Sequence, residues 1–193
     1  MVTSASALLP SGRLVTEDDV PGEDGAARYR GPSDHLARSL AQRGVRASVL
    51  RLPPSVHGEG DHGFVPILIG IARDQGASAY IGDGSSRWPA VHRLDAARLY
   101  RLALEQGSAG AAYHAIAEEG VPTREIAEVI GRHLGLPVVA KTGEDATAHF
   151  AWMAHFFGND CPASSARTQR ELDWQPTHPT LLADLEAGHY FQG

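Results

Sequence analysis

The stretch SDHLARSLAQRGVRASVLRL, residues 33–52, decides the fold class. Ser33 or Asp34 offers a side-chain oxygen to the free N–H groups of a helix start. Leu36, Ala37, Leu40 and Ala41 then recur at helical spacing, and Gly44 supplies a stop. Val45–Leu52 reads as a strand, halted by Pro53-Pro54. A helix running into a strand through Arg43-Gly44 is half of an α/β crossover unit. Upstream, residues 2–9 are short, apolar and β-tolerant, as in a buried strand. Pro10–Arg30 is a loop rich in Gly, Pro, Asp and Glu.

Downstream the pattern alternates again. A helix is expected from about Phe64 to Gln75, a strand at Ala79–Ile81, a turn at Gly82-Asp83-Gly84 and a return strand at Trp88–Val91. Asp95 is expected to cap an amphipathic helix that buries Ala96, Leu99, Tyr100, Leu102, Ala103 and Leu104. Ala111–Ile116 reads as a strand. Thr123 caps a helix carrying Ile126, Ala127, Val129 and Ile130, closed by Gly135, and Leu136–Ala140 is extended. The remainder is helical and loop-like, with Trp152, Phe156 and Trp174 read as core aromatics. The class is α/β.

Composition narrows the function. The 193 residues are 42% hydrophobic and 21% charged, enough apolar matter for a real core. Lys plus Arg is 17 against 23 Asp plus Glu, a net charge of −6 with no basic cluster, so nucleic acid is a poor partner. Cys161 is the single cysteine, which excludes an intramolecular disulfide and a thiolate metal site. The longest apolar run, Val65–Ala72, is broken by Pro66 and Gly70 and falls far short of the roughly 20 residues of a membrane span. No basic flank marks a secretory leader, so the expected location is cytoplasmic, away from membranes.

Gly58-Glu59-Gly60-Asp61-His62-Gly63 formally matches G-x-G-x-x-G, and Asp83 stands 20 residues beyond Gly63. In a working dinucleotide turn the first glycine leaves the strand directly, so that the pyrophosphate meets helix N–H groups. Here Pro53–His57 intervene, and Glu59 and Asp61 would face the anion; the match reads as accidental. His57, Asp61 and His62 lack a fourth ligand and the short helical spacing of known metal motifs, so no metal is expected.

Five landmarks, in order along nearly the whole chain, resemble the extended short-chain dehydrogenase/reductases of the NAD-dependent epimerase/dehydratase group. Val2–Ser6 resembles the strand ending in the family's catalytic Ser/Thr. Leu50–Gly58 resembles its "LRP…VYG" segment. Gly82-Asp83-Gly84 with Arg87–Asp95 resembles "GDG…R…VHVDD". Gly120–Ala127 and Glu171–Pro176 resemble its "S-x-x-E-I-A" helix and late "LGW-x-P". The resemblance implies a partial Rossmann-like doubly wound sheet whose nucleotide half would precede residue 1, with a small C-terminal α+β substrate lobe. Residues 1–60 would be the Rossmann-like remnant and 61–193 the lobe packed on it as one unit.

The resemblance further implies NAD or NADP as cofactor and a small carbonyl or hydroxyl compound as substrate. It places Ser4 and Ser6 beside the catalytic hydroxyl position, which falls on Ala5. Tyr29 is the nearest tyrosine to the family's Tyr-x-x-x-Lys, but Ser33 stands in the lysine's place, and the chain's one lysine is Lys141. The usual proton relay is therefore not visible. Pro54, Ser55 and Val56 inherit the nicotinamide side, and His57 stands as a replacement acid. Arg87 matches an arginine that contacts an anionic substrate group, or else forms a surface salt bridge. His92 and Arg93 line the cleft or a half-buried strand. Two functions follow: an NAD(P)-dependent oxidoreductase or epimerase, incomplete as this chain, or a catalytically inactive binding or interaction protein derived from that family. An uncovered sheet edge would favour self-association.

Overall fold

The computed structural model describes residues 1–192. The chain runs β1 (Val2–Ala5), α1 (Gly25–Ser39), β2 (Val49–Leu52), β3 (Ser55–His57), α2 (Phe64–Gln75), β4 (Ser78–Ile81) and β5 (Arg87–His92). It continues α3 (Arg93–Gln106), β6 (Ala112–His114), β7 (Glu118–Pro122), α4 (Thr123–Leu134) and β8 (Val138–Lys141). Four short helices follow: α5 (Gly143–Phe150), α6 (Met153–Phe157), α7 (Ala166–Leu172) and α8 (Leu181–Glu186).

The strands form three small sheets. β1, β2 and β6 are parallel with β2 central, its Val49 and Leu50 each facing residues of both neighbours in register. β3 lies parallel to β5, which pairs antiparallel with β7, and β4 pairs parallel with β8. Alternation along β2 sends Leu50 into a core shared with Leu99 of α3, Tyr113 and Trp174, and Arg51 to the opposite face, against α1. The parallel sheet thus has a helix on each face, as buried parallel strands require. A larger core joins α2, α4, α6 and α8 around β4 and β5, with Trp88, Ile126, Phe157 and Leu181 fully buried.

Arg51 is fully buried and would be a liability without partners. Its Nε and Nη2 donate to Asp34 Oδ2 and Oδ1 at 2.9 and 3.1 Å, and its Nη1 donates to the Asp19 carbonyl at 2.9 Å. His114 Nδ1 lies 2.8 Å from the Ser164 carbonyl oxygen and so carries the proton. Its Nε2 therefore accepts from Arg51 Nη1 at 3.2 Å. Thr168 accepts from the His114 N–H and donates through N and Oγ1 to the buried Glu17. Together these bonds tie α1, β2, β6, α7 and the loop before α1.

Five sequence expectations need correction. α1 begins at Gly25, eight residues before the expected cap Ser33, and runs through Pro32. Asp34 lies in mid-helix and caps nothing. Gly31 allows the helix to approach Pro21, whose Cβ a side chain at this position would meet at 3.0 Å. The first strand stops at Ala5, giving way to a 3₁₀ turn at Ser6–Leu8, and the second begins at Val49 rather than Val45. α3 is capped by His92, whose Nδ1 accepts the Leu94 N–H, not by Asp95. Leu104 of α3 is exposed, not buried.

Removing one partner of a fully buried ion pair leaves an uncompensated charge, so Asp34→Ala should lower unfolding stability by about 3–5 kcal/mol. A loss below about 1 kcal/mol in denaturant titration would show the pair is dispensable. Burial first, then the Arg51 charge, pushes the His114 pKa from 6.5 down to about 4. Because the folded value lies below the unfolded one, its contribution is complete above pH 6.5 and is lost as pH falls toward about 4. His114→Gln should flatten this part of the stability–pH curve; an unchanged slope would assign it to other groups.

Candidate functional site

Strands of a parallel sheet end on one side, and the loops leaving those ends open a crevice. Here the carboxyl ends of β1 and β2 border a cleft of about 770 Å³. Ala5 at the end of β1 and Leu8 and Leu9 beyond it line one side, Pro53 and Pro54 follow β2, and the first turn of α1 with Arg30 forms a third side. The facing wall is Phe64 at the start of α2, with His155, Phe156, Asn159 and Cys161. Burial pushes the Cys161 thiol up to about 12, so it stays protonated and behaves as a small apolar group.

Of the residues singled out by sequence, Pro54 lines this cleft. Ser4 and Ser6 are buried on either side of the lining Ala5, and their Oγ atoms find no hydrogen-bond partner among the described residues. Ser55 is likewise buried with an unpartnered Oγ, while Val56 packs against the α3 core. Tyr29 is 80% exposed on the outer side of α1 and does not border the cleft; its neighbour Arg30 does. Arg87 spends its guanidinium on Asp160, with Nε at 2.9 Å and Nη2 at 2.8 Å, and its own N–H donates to the same carboxylate. The Arg87 bonds hold the Asp160 carboxyl below its usual range.

His57 is fully buried beneath α8, away from the cleft, with Nδ1 2.9 Å from Asp184 Oδ2. Its ring meets His92 edge-on at 5.4 Å, and His92 stacks on His178 at 4.5 Å. Burial, before the charges of His57 and His178, lowers the His92 pKa. Asp95 accepts the N–H groups of Thr177 and His178 and lies 3.0 Å from His178 Nδ1. This polar group fastens the segment after Trp174 onto β3 and β5. Arg93 lies beside Gly58.

The Gly58–Gly63 loop is closed from within. Gly58 N–H donates to Tyr190 Oη, Gly63 N–H to Asp61 Oδ1, and Tyr190 Oη to Asp61 Oδ2. Gly58 has φ 134°, and a Cβ there would sit 2.9 Å from His92 Nε2. With these amides engaged and carboxylates in place, the loop offers no pyrophosphate cradle. The described residues therefore do not fit a whole dinucleotide. Among them, no cluster of three His, Cys, Asp or Glu could hold a metal, and no helix is long and apolar enough to cross a membrane.

Sequence reasoning missed Phe64, Phe156, Asp24 and Arg30. Of the three aromatics read as core, Trp174 is fully buried and Phe156 packs against the larger core while also bordering the cleft, whereas Trp152 is 58% exposed. The i,i+4 spacing of Trp152 and Phe156 was the available signal.

No family model matches the chain. An uncharacterized protein of Schizosaccharomyces pombe is 50% identical over 192 residues, covering 99% of this chain and 64% of that protein. One of Saccharomyces cerevisiae is 42% identical over 189 residues, covering 98% and 63%. The chain thus spans less than two thirds of the length of these relatives. Among solved structures, dTDP-glucose 4,6-dehydratase from Streptomyces venezuelae with NAD bound superposes with TM-score 0.73 at 21% identity, over 97% of this chain and 57% of that one. The dTDP-glucose 4,6-dehydratase from Bacillus anthracis, in complex with NAD, gives 0.74 at 17%, over 97% and 60%. A UDP-glucuronic acid 4-epimerase mutant from Bacillus cereus, in complex with NAD, gives 0.71 at 17%, over 97% and 59%. The chain has the α/β, Rossmann-type fold of these epimerases and dehydratases over part of their length.

His57→Ala would strip the buried Asp184 of its partner and should lower unfolding stability by about 1–3 kcal/mol. Unchanged stability together with lost turnover would instead give His57 a chemical role.

Proposed function

We propose that this chain belongs to the NAD-dependent epimerase/dehydratase group and forms the substrate-side portion of an NAD(P)-dependent oxidoreductase or epimerase. Its substrate is a small carbonyl or hydroxyl compound. The carrying observation is the cleft at the carboxyl ends of β1 and β2, where α/β proteins place their ligands. Support comes from the five sequence landmarks and from the NAD held by neighbours of the same fold. The nicotinamide cofactor would supply hydride transfer, with its pyrophosphate held by residues other than those described. This chain's residues bind the substrate: Phe64, Phe156, Leu8 and Leu9 exclude water, and Arg30 donates to an oxygen.

A second reading, a cofactor-free ligand-binding protein, draws on the exposure of Tyr29 and the closed Gly58–Gly63 loop. The two separate by calorimetric titration with NADH and NADPH. Under the first, the longer S. pombe relative binds one of them saturably, and the 193-residue chain binds it at least about tenfold more weakly. If the relative binds neither, the oxidoreductase reading fails and the second stands.

A further inference from the structure

α2 starts without a side-chain cap of its own. Its N-cap position is Gly63, whose N–H donates to Asp61 Oδ1 at 2.6 Å. The other oxygen of that carboxylate, Oδ2, accepts from Tyr190 Oη at 3.0 Å, and Tyr190 Oη in turn accepts the Gly58 N–H at 2.9 Å. One phenol therefore holds both ends of the Gly58–Asp61 turn, and one carboxylate passes that hold to the residue before α2. Burial, ahead of the Asp61 charge, pushes the Tyr190 hydroxyl up, so it stays a donor at neutral pH.

The next residue is Phe64, the first of α2, which lines the cleft. Its ring packs on Phe156 at 5.3 Å and on the buried Trp88 at 5.7 Å. Trp152, more than half exposed, has its ring centroid 6.1 Å from that of Phe64. The segment that carries Tyr190, a 3₁₀ turn over His189–Phe191, also reaches the far end of the helix. Arg73 Nη2, in the last turn of α2, donates to the Phe191 carbonyl at 3.3 Å. A helix tied near both ends to one segment takes its axial position from that segment. The Tyr190 ring packs against the larger core, a task that phenylalanine would do as well. What the hydroxyl adds is the pair of bonds to Gly58 and Asp61, and a buried hydroxyl without them would be a cost.

We propose that Tyr190 is a positioning residue of the cleft. From the C-terminal turn its hydroxyl fixes the Gly58–Gly63 loop and, through Asp61, the start of α2, and so sets where Phe64 stands in the cleft wall. The consequence for a substrate rests on the proposed reading of this cleft as the substrate site; the chain of contacts does not.

Tyr190→Phe keeps the ring and removes the hydroxyl alone. Hydrogen exchange followed by mass spectrometry should show residues 58–66 exchanging about five- to thirtyfold faster, the worth of one or two hydrogen bonds, with α3 and α4 within about twofold of the parent. Acrylamide quenching reads the exposed Trp152 rather than the buried Trp88 and Trp174. It should rise in Tyr190→Phe as Phe64 moves, and the rise should vanish in a Trp152→Phe background. Asp61→Asn tests the same chain at its next link. Because the two groups act in series, the double variant should exchange no faster than the faster single variant. The inference is overturned if Tyr190→Phe leaves residues 58–66 at the parent rate or speeds every helix equally. Unchanged quenching, or effects of the two substitutions that add, would overturn it as well. Failure of the oxidoreductase reading shows separately. Faster exchange at 58–66, with the longer S. pombe relative taking neither NADH nor NADPH, keeps the positioning role and drops the redox chemistry. Parent-like exchange with saturable cofactor binding by that relative does the reverse.

Discussion

A guanidinium on the central strand of a parallel sheet has to find its counter-charge inside the protein, and Arg51 finds it on the crossover helix. The fork to Asp34 fixes the rotation and axial position of α1 over β2, since two parallel N–H···O bonds tolerate little sliding. The remaining N–H groups reach Asp19 and His114, so the loop before α1 and the neighbouring strand are set by the same group. The first turn of α1 and the loop that leads into it form one side of the cleft. An apolar residue at Arg51 would pack on that face without specifying where the helix stops. The cleft's geometry thus depends on a polar contact on a neighbouring strand, outside its own lining.

Local chemistry was legible where it was self-sufficient. α2 has the expected bounds because Gly63 and Gly76 punctuate an apolar-rich run on both sides, and α4 closes at Gly135 in the left-handed conformation that its position implied. The start of α1 was not legible, because Gly31-Pro32 looks like a break when taken alone. What overrides it is tertiary: a glycine that lets the helix settle against Pro21, and a mid-helix Asp34 committed to a strand residue 17 positions away.

The candidate site divides along the same line. Pro54 borders the cleft because it follows the end of β2, a position the strand–loop order of the sequence already gives it. Serine and histidine positions transferred by that order fell into the interior: Ser4, Ser6 and Ser55 are buried, and His57 is paired beneath α8. The Phe64–Phe156 wall joins residues 92 positions apart, and no spacing rule connects them.

The polar fastening of the C-terminal segment bears on the order in which the chain can finish. His57 and Asp184 are separated by 127 positions, and Gly58 and Tyr190 by 132. A ribosome delivers β3 and β5 long before their partners, so a buried imidazole and a loop amide wait, hydrated, until the segment that pairs with them is made. Strands β1 and β2, by contrast, can close with α1 as soon as they emerge. The nascent chain is therefore expected to make the contacts of β1, β2 and α1 early and the C-terminal fastening late, which leaves the middle strands as the interval in which chaperones have most to protect.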